Sequence, residues 1–379
     1  MEKTREKKRG FAAIWSLCPL RHVLLLLNAV IIGLHLATRG NYVWNRTLSK
    51  NFVRPVHRFL ARATDLLPFS LAEVIYALAI IGGAVYIIAE LAWCVRRKEW
   101  GKRLYKVLVT LLTAGAVFYG GFCLLWGVYY YGDDFMAQSG LKREKISADQ
   151  LAEVTVWYAA LANEYADRVP RDERGVCDLD RGAVLARSPE VYRGLEQCFA
   201  CLEGPEVHAK GMVFSRVMSL IDFTGFFFPL TAEANVNTDF PSSLFPSTVA
   251  HELAHQRGVA KEQEANFVAV LVCLDYGDPE YVYSAALLAY THLGNALYGA
   301  DRAAWEQAYG SLCDAVKRDF AANRLYWQQF ETPVQKASNT VYEGFLQSYD
   351  QELGLKSYGA CVDLLVNYYY EAGQGGAEG

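Results

Sequence analysis

Apolar residues are not spread evenly along this chain of 379 residues: they gather in three long runs, at residues 22–38, 69–93 and 107–131. Each is nearly free of charge and long enough to cross the hydrocarbon core of a bilayer as a helix, which takes roughly 17 to 25 residues. Beyond residue 131 uniform apolarity gives way to a helical stripe. Leu151, Val154, Tyr158 and Leu161 recur at three- and four-residue spacing, behind Ser147 and Gln150 at the spacing of a capping box. Ser188-Pro189 suits the start of another helix, and residues 279–297, 302–323 and 340–353 carry further helical patterns. Residues 224–237 alternate instead, with Phe226, Phe227, Phe228 and Pro229 leading into Thr231, Glu233, Asn235 and Asn237. The pattern predicts a mainly α protein. A membrane domain with three transmembrane helices, residues 1–131, is followed by a mostly helical domain with a short β edge, residues 132–379.

Charge gives this arrangement a direction. Residues 1–131 hold 18 of the 37 Lys and Arg and 6 of the 41 Asp and Glu, a net +12; the remaining 19 and 35 leave residues 132–379 at −16. The arm before the first run and the short loop after the second each carry six basic residues, against six in the longer loop between the first and second runs. This bias puts the amino terminus inside and, after three crossings, the acidic domain on the extracytoplasmic side of a multi-pass cell-membrane protein. The lipid bilayer is the expected partner of the first domain, and the acidic second domain is poorly suited to nucleic acid. Glu73 and Glu90, near the two ends of the second run, are expected at the interfaces. Cys198 and Cys201 form a lone C-x-x-C without a matching pair, so a core role or an irregular bridge is expected of them before a second metal site.

Within the acidic domain, residues 248–266 read TVAHELAHQRGVAKEQEAN. His251 and His255 stand four apart and share one face of a helix, so both imidazoles can point at one metal ion while Glu252 sits beside them as a base. Their neighbours Val249, Ala250, Leu253 and Ala254 are small or apolar. Unpaired ionisable groups are costly in such surroundings, and a shared zinc ion removes the cost. A third histidine in the second turn would fall at position 261, where the chain has Lys261. The third ligand is then a carboxylate of the following helix, Glu262 or Glu264. Glu262 and Asn266 share a face, so Glu262 can hold the metal while Asn266 hydrogen-bonds a ligand histidine; Glu264 points about 200° away. Glu262 is favoured, with Glu264 the alternative. Only six residues separate His255 from Glu262, which demands a tight turn at Gly258.

HELAHQRG followed by EQEAN resembles the gluzincin pattern, HExxH and then ExxxD or ExxxN, of thermolysin-like metallopeptidases. More closely, residues 215–269, which include TGFFFPLTAEANVN, resemble an uncharacterised family of bacterial integral-membrane proteins bearing a domain of unknown function. The similarity extends to the amino-terminal apolar runs and to SYGACVDLL, residues 357–365. The resemblance implies a zincin-like outer domain and a zinc metallohydrolase, most often a peptidase, acting on a peptide or protein substrate. In that reading His251, His255 and Glu262 hold zinc, a fourth position stays open for water, and Glu252 passes a proton from that water to the leaving amine. Tyr358 is a candidate donor to the oxyanion. The stretch 224–237 is a candidate edge for holding substrate by strand addition, or else a buried hairpin supporting the active-site helix. The alternative from another class is a non-catalytic envelope or signalling protein with a structural zinc and a protein partner.

Overall fold

The computed structural model describes residues 12–349 and 359–375. The chain divides into two compact units, Met1–Val53 with Leu71–Gly132, and Arg54–Ser70 with Asp133–Gly379. In the first, three helices are long and apolar enough to cross a membrane: α1 (Pro19–Thr38), α2 (Leu71–Arg97) and α3 (Trp100–Leu125). The last of these is shifted from residues 107–131. Lys102, Arg103 and Lys106 are good helix formers that extend its start, and at Trp126 the backbone leaves helical geometry before a separate short turn, Gly127–Tyr131. Polar side chains of α1 face α3. His22 Nε2 lies 2.7 Å from the Tyr105 hydroxyl, and Asn28 occupies space where a Cβ on Gly120 would come within 2.5 Å of its Oδ1. Small residues and polar contacts of this kind pair helices where lipid is as apolar as the side chains. Glu90 meets Arg103 at 2.8 Å near the ends of α2 and α3 that face each other across their short loop.

The second unit is built on helices. α4 (Ala148–Tyr165) starts with the capping box of Ser147 and Gln150 in place. α5 (Phe245–Gln256), α6 (Glu262–Tyr276) and α7 (Pro279–Ala300) form the centre, with α4 packed along α7. α6 is buried without interruption from Phe267 through Cys273, which a helix surrounded by neighbours requires. The helical pattern over 302–323 is split by a tertiary contact. Asn163 on α4 accepts the Cys313 N–H and donates to the Ser311 carbonyl, each at 2.8 Å, so Arg302–Gly310 ends and α8 (Asp314–Gln328) begins afresh. α9 (Pro333–Ser348) starts earlier than residue 340, capped by Thr332, and α10 (Ala360–Gly375) closes the described chain. All nine cysteines are unbridged.

Three short strands, β1 (Lys210–Gly211), β2 (Gly225–Phe228) and β3 (Glu233–Val236), pair in the order β1-β3-β2. The alternating stretch is thus a hairpin: Phe228 pairs with Glu233, Pro229 cannot donate to the ladder, and Ala232 turns the chain at φ +55°. β3 is wholly buried, lies in the middle and packs on α5; β1 and β2 are the two edges. Residues 54–70, which a division at 131 leaves in the membrane domain, belong to this unit. The helix Arg54–Asp65 is strongly amphipathic, and its Ala61 packs on Val207 and Ala232. Asp65 accepts the His208 backbone N–H at 2.8 Å, and Ser70 Oγ donates to Asn235 Oδ1 at 2.6 Å.

Candidate metal centre

α5 carries the motif on a firmly held frame. Pro246 suits its first turn, the Ser247 N–H donates to Ser284 Oγ on α7 at 3.0 Å, and the Tyr192 hydroxyl donates to the Ala250 carbonyl at 2.7 Å. The helix ends in the turn that Gly258 allows. Gly258 sits at φ +92°, its N–H donates to the His255 carbonyl at 2.8 Å, and the Val259 N–H reaches back to the Ala254 carbonyl at 3.1 Å. This is a Schellman turn, and it closes the chain tightly enough for α6 to begin at Glu262.

The same turn fixes a candidate ligand. The Val259 carbonyl lies 2.7 Å from His255 Nδ1. A carbonyl accepts and never donates, so Nδ1 carries a hydrogen and Nε2 is the nitrogen that can meet a metal once it gives up its proton. Nε2 of His251 is 3.2 Å and Nε2 of His255 3.6 Å from Glu262 Oε2. One ligand atom from each of the three residues lies within 4.8 Å of the others. Two imidazole nitrogens and a carboxylate oxygen so gathered are a donor set that suits zinc.

Glu264 goes elsewhere: its Oε2 accepts the Phe135 N–H at 2.8 Å, at the start of the short helix Phe135–Ser139. Asn266 lies on the expected face, half-buried, yet among the described residues it makes no hydrogen bond to either imidazole; Val259 holds the Nδ1 of His255 instead. Tyr358 lies outside the described residues.

Electrostatics at the centre follow from burial. Glu252 is 3% exposed; burial raises its carboxyl to about 7, against the opposing pull of His251 and His255. Burial lowers His255, but the Glu262 carboxylate outweighs it and holds the imidazole up at about 9. Burial likewise raises Glu262, and the two histidines more than reverse that, keeping it ionised. Burial, with His251's charge added, pushes His292 on α7 down to about 4, so a third, neutral imidazole stands near the site.

Two contacts are not visible in the motif. β2 passes so close to Glu252 that a Cβ on Gly225 would lie 2.5 Å from its Oε1 and 2.7 Å from its Cγ. The Tyr342 hydroxyl on α9 donates to Glu262 Oε1 at 2.8 Å. A glycine opening a strand just before an aromatic run is a weak sign of close approach, and nothing near Tyr342 in sequence signals its role.

The sequence model of the family described as protein of unknown function (DUF3810) matches residues 48–366, most of the chain. The chain belongs to this family. No curated protein and no solved structure matches it. The DUF3810 match takes in two of the three apolar helices, the hairpin, the motif, Glu262 and Tyr342, and so spans both units.

Proposed function

We propose that this DUF3810 protein is a membrane-anchored, zinc-dependent hydrolase, a peptidase, with its site on the extracytoplasmic side. The observation that carries the reading is the convergence of His251, His255 and Glu262 within 4.8 Å, with the buried Glu252 on the same helix as the two histidines. Zinc held there supplies Lewis acidity, which polarises a carbonyl oxygen and acidifies water. Glu252, with a carboxyl near neutral range, is matched to take a proton from water and return it to the leaving amine. β2, one of the two edge strands of the sheet, runs beside Glu252 and is the element placed to border a bound peptide. Among the described residues the group offers three candidate protein ligands. That number supports a catalytic site, because structural zinc is usually closed by four.

The test is metal content, measured by elemental mass spectrometry on detergent-purified protein beside a His251→Ala, His255→Ala double variant. About one zinc per chain, lost in the double variant, is expected. Glu252→Gln is expected to keep the zinc and lose hydrolysis of whichever peptide a library screen returns. Zinc-free wild type after gentle purification, or a fully active Glu252→Gln, refutes the reading. Orientation is tested separately on intact cells with a membrane-impermeant maleimide directed at the exposed Cys198. Labelling that disappears in Cys198→Ser supports an outside domain, and labelling only after lysis places it inside.

A further inference from the structure

α9 touches the candidate metal centre without being part of the motif's neighbourhood. Its Gln335, Ser338, Asn339, Tyr342, Phe345 and Leu346 are half-buried and recur at three- and four-residue spacing, so one face of the helix is turned inward. That face is seated at fixed points on the segment leading into β2. Ser338 Oγ donates to the Ile221 carbonyl at 3.0 Å, and Asn339 Nδ2 donates to Asp222 Oδ2 at 2.9 Å. Asp222 is itself held at φ +66°, a left-handed conformation that asparagine and aspartate tolerate better than most residues. The Tyr342 ring then meets Phe223 edge-on at 5.3 Å, and its hydroxyl reaches Glu262 Oε1.

The two carboxylate oxygens of Glu262 are thereby given different tasks. Oε1 accepts the phenolic hydrogen at 2.8 Å, and Oε2 faces the imidazoles at 3.2 and 3.6 Å. A free carboxylate rotates, and either oxygen, or both, can approach a cation. The phenol settles which one does. We propose that Tyr342 is a positioning residue for the metal centre: it orients Glu262 so that a single oxygen is presented, keeping a coordination position open. This rests on the metal reading above, and the experiment separates the two.

Tyr342→Phe removes one oxygen and keeps the ring against Phe223, so the fold is spared. Zinc affinity is measured by competition with a chromophoric chelator, for full-length protein in detergent, wild type and variant side by side. Loss of a group that orients a metal ligand costs about 10- to 100-fold in affinity, and that loss is expected here. The cobalt-substituted variant is expected to show weaker visible bands, because a carboxylate free to use both oxygens raises the coordination number. Asn339→Ala, which loosens the seat of α9 and leaves the phenol intact, is expected to lower affinity in the same direction by less. Unchanged zinc affinity and an unchanged cobalt spectrum in Tyr342→Phe, with a wild type that binds zinc, overturn the positioning role and leave the metal reading standing. A wild type that binds no zinc overturns both.

Discussion

Gly225→Ala presses first on Glu252, the proposed base, whose atoms are the three nearest to the added methyl. The added methyl would lie 2.5 Å from Glu252 Oε1, 2.7 Å from Cγ and 2.8 Å from Cδ, where ordinary contact begins at 3.4 Å. Some group must therefore move by about 0.6 to 0.9 Å. Oε1 alone could swing aside, but Cγ is close to the backbone of α5, which is tied to Ser284 through the Ser247 N–H and to Tyr192 through the Ala250 carbonyl. The strain falls on Glu252's rotamer or on β2, at a cost of roughly 1 to 3 kcal/mol for overpacking. A misplacement near 1 Å of a group in proton transfer costs on the order of 100-fold in rate, or about 2.7 kcal/mol of barrier. Three quantities are compared between variant and wild type: zinc content, unfolding midpoint in detergent, and kcat on the peptide returned by the library screen. The expected result is full zinc, a midpoint lowered by a few degrees, and kcat down about 100-fold with little change in KM. Wild-type kcat would refute the claim that β2 holds the base in place. Loss of zinc would show that the clash spreads to the ligands, against the reasoning from contact distances.

Gly258→Ala forces a side chain into φ +92° and is expected to cost about 1 kcal/mol or more of stability, with weaker zinc binding because the Val259 carbonyl moves off His255 Nδ1; a chelator competition that matches wild type refutes the coupling. Glu264→Gln tests a pH dependence. Burial, with the charge of Asp134 added, raises the Glu264 carboxyl to about 7, above its ordinary 4.5, so the folded state holds that proton more tightly. Its contribution is present below pH 4.5 and is lost as pH rises through 7, by about 3 kcal/mol over the window. The wild-type unfolding midpoint is expected to fall between pH 5 and 8 more steeply than that of the glutamine variant, and parallel curves would refute the assignment. His57 has the opposite sign. Burial takes it down to about 4, so its contribution is lost as pH falls from 6.5 towards 4, and His57→Gln should flatten the acid limb of hydrogen-exchange protection around the hairpin.

The part of the site legible in the sequence is the part that lies on one helix. His251, His255 and Glu252 are related by the helical step, and the same step of about 100° per residue separates Glu262 from Glu264. Once α6 starts at Glu262, one carboxylate faces the imidazoles and the other lands on the amide of Phe135. The step also puts Asn266 on that face, but the buried Nδ1 of His251 has no hydrogen-bond partner among the described residues, and a backbone carbonyl one turn beyond His255 takes that residue's Nδ1 hydrogen. A residue held by its own chain needs no distant partner. The remaining contacts run between elements whose spacing no period encodes: Tyr342 is 80 residues from Glu262, and Gly225 faces a glutamate on a different element. The helix Arg54–Asp65 belongs to the same class. Its place between two apolar runs assigns it to the membrane domain by order alone. Its buried face of His57, Ala61 and Thr64, small enough at Ala61 to close on Val207 and Ala232, is the feature that fits it to the hairpin. Complementarity between surfaces decides such positions, and it depends on shape that a linear pattern of apolar and polar residues leaves unspecified.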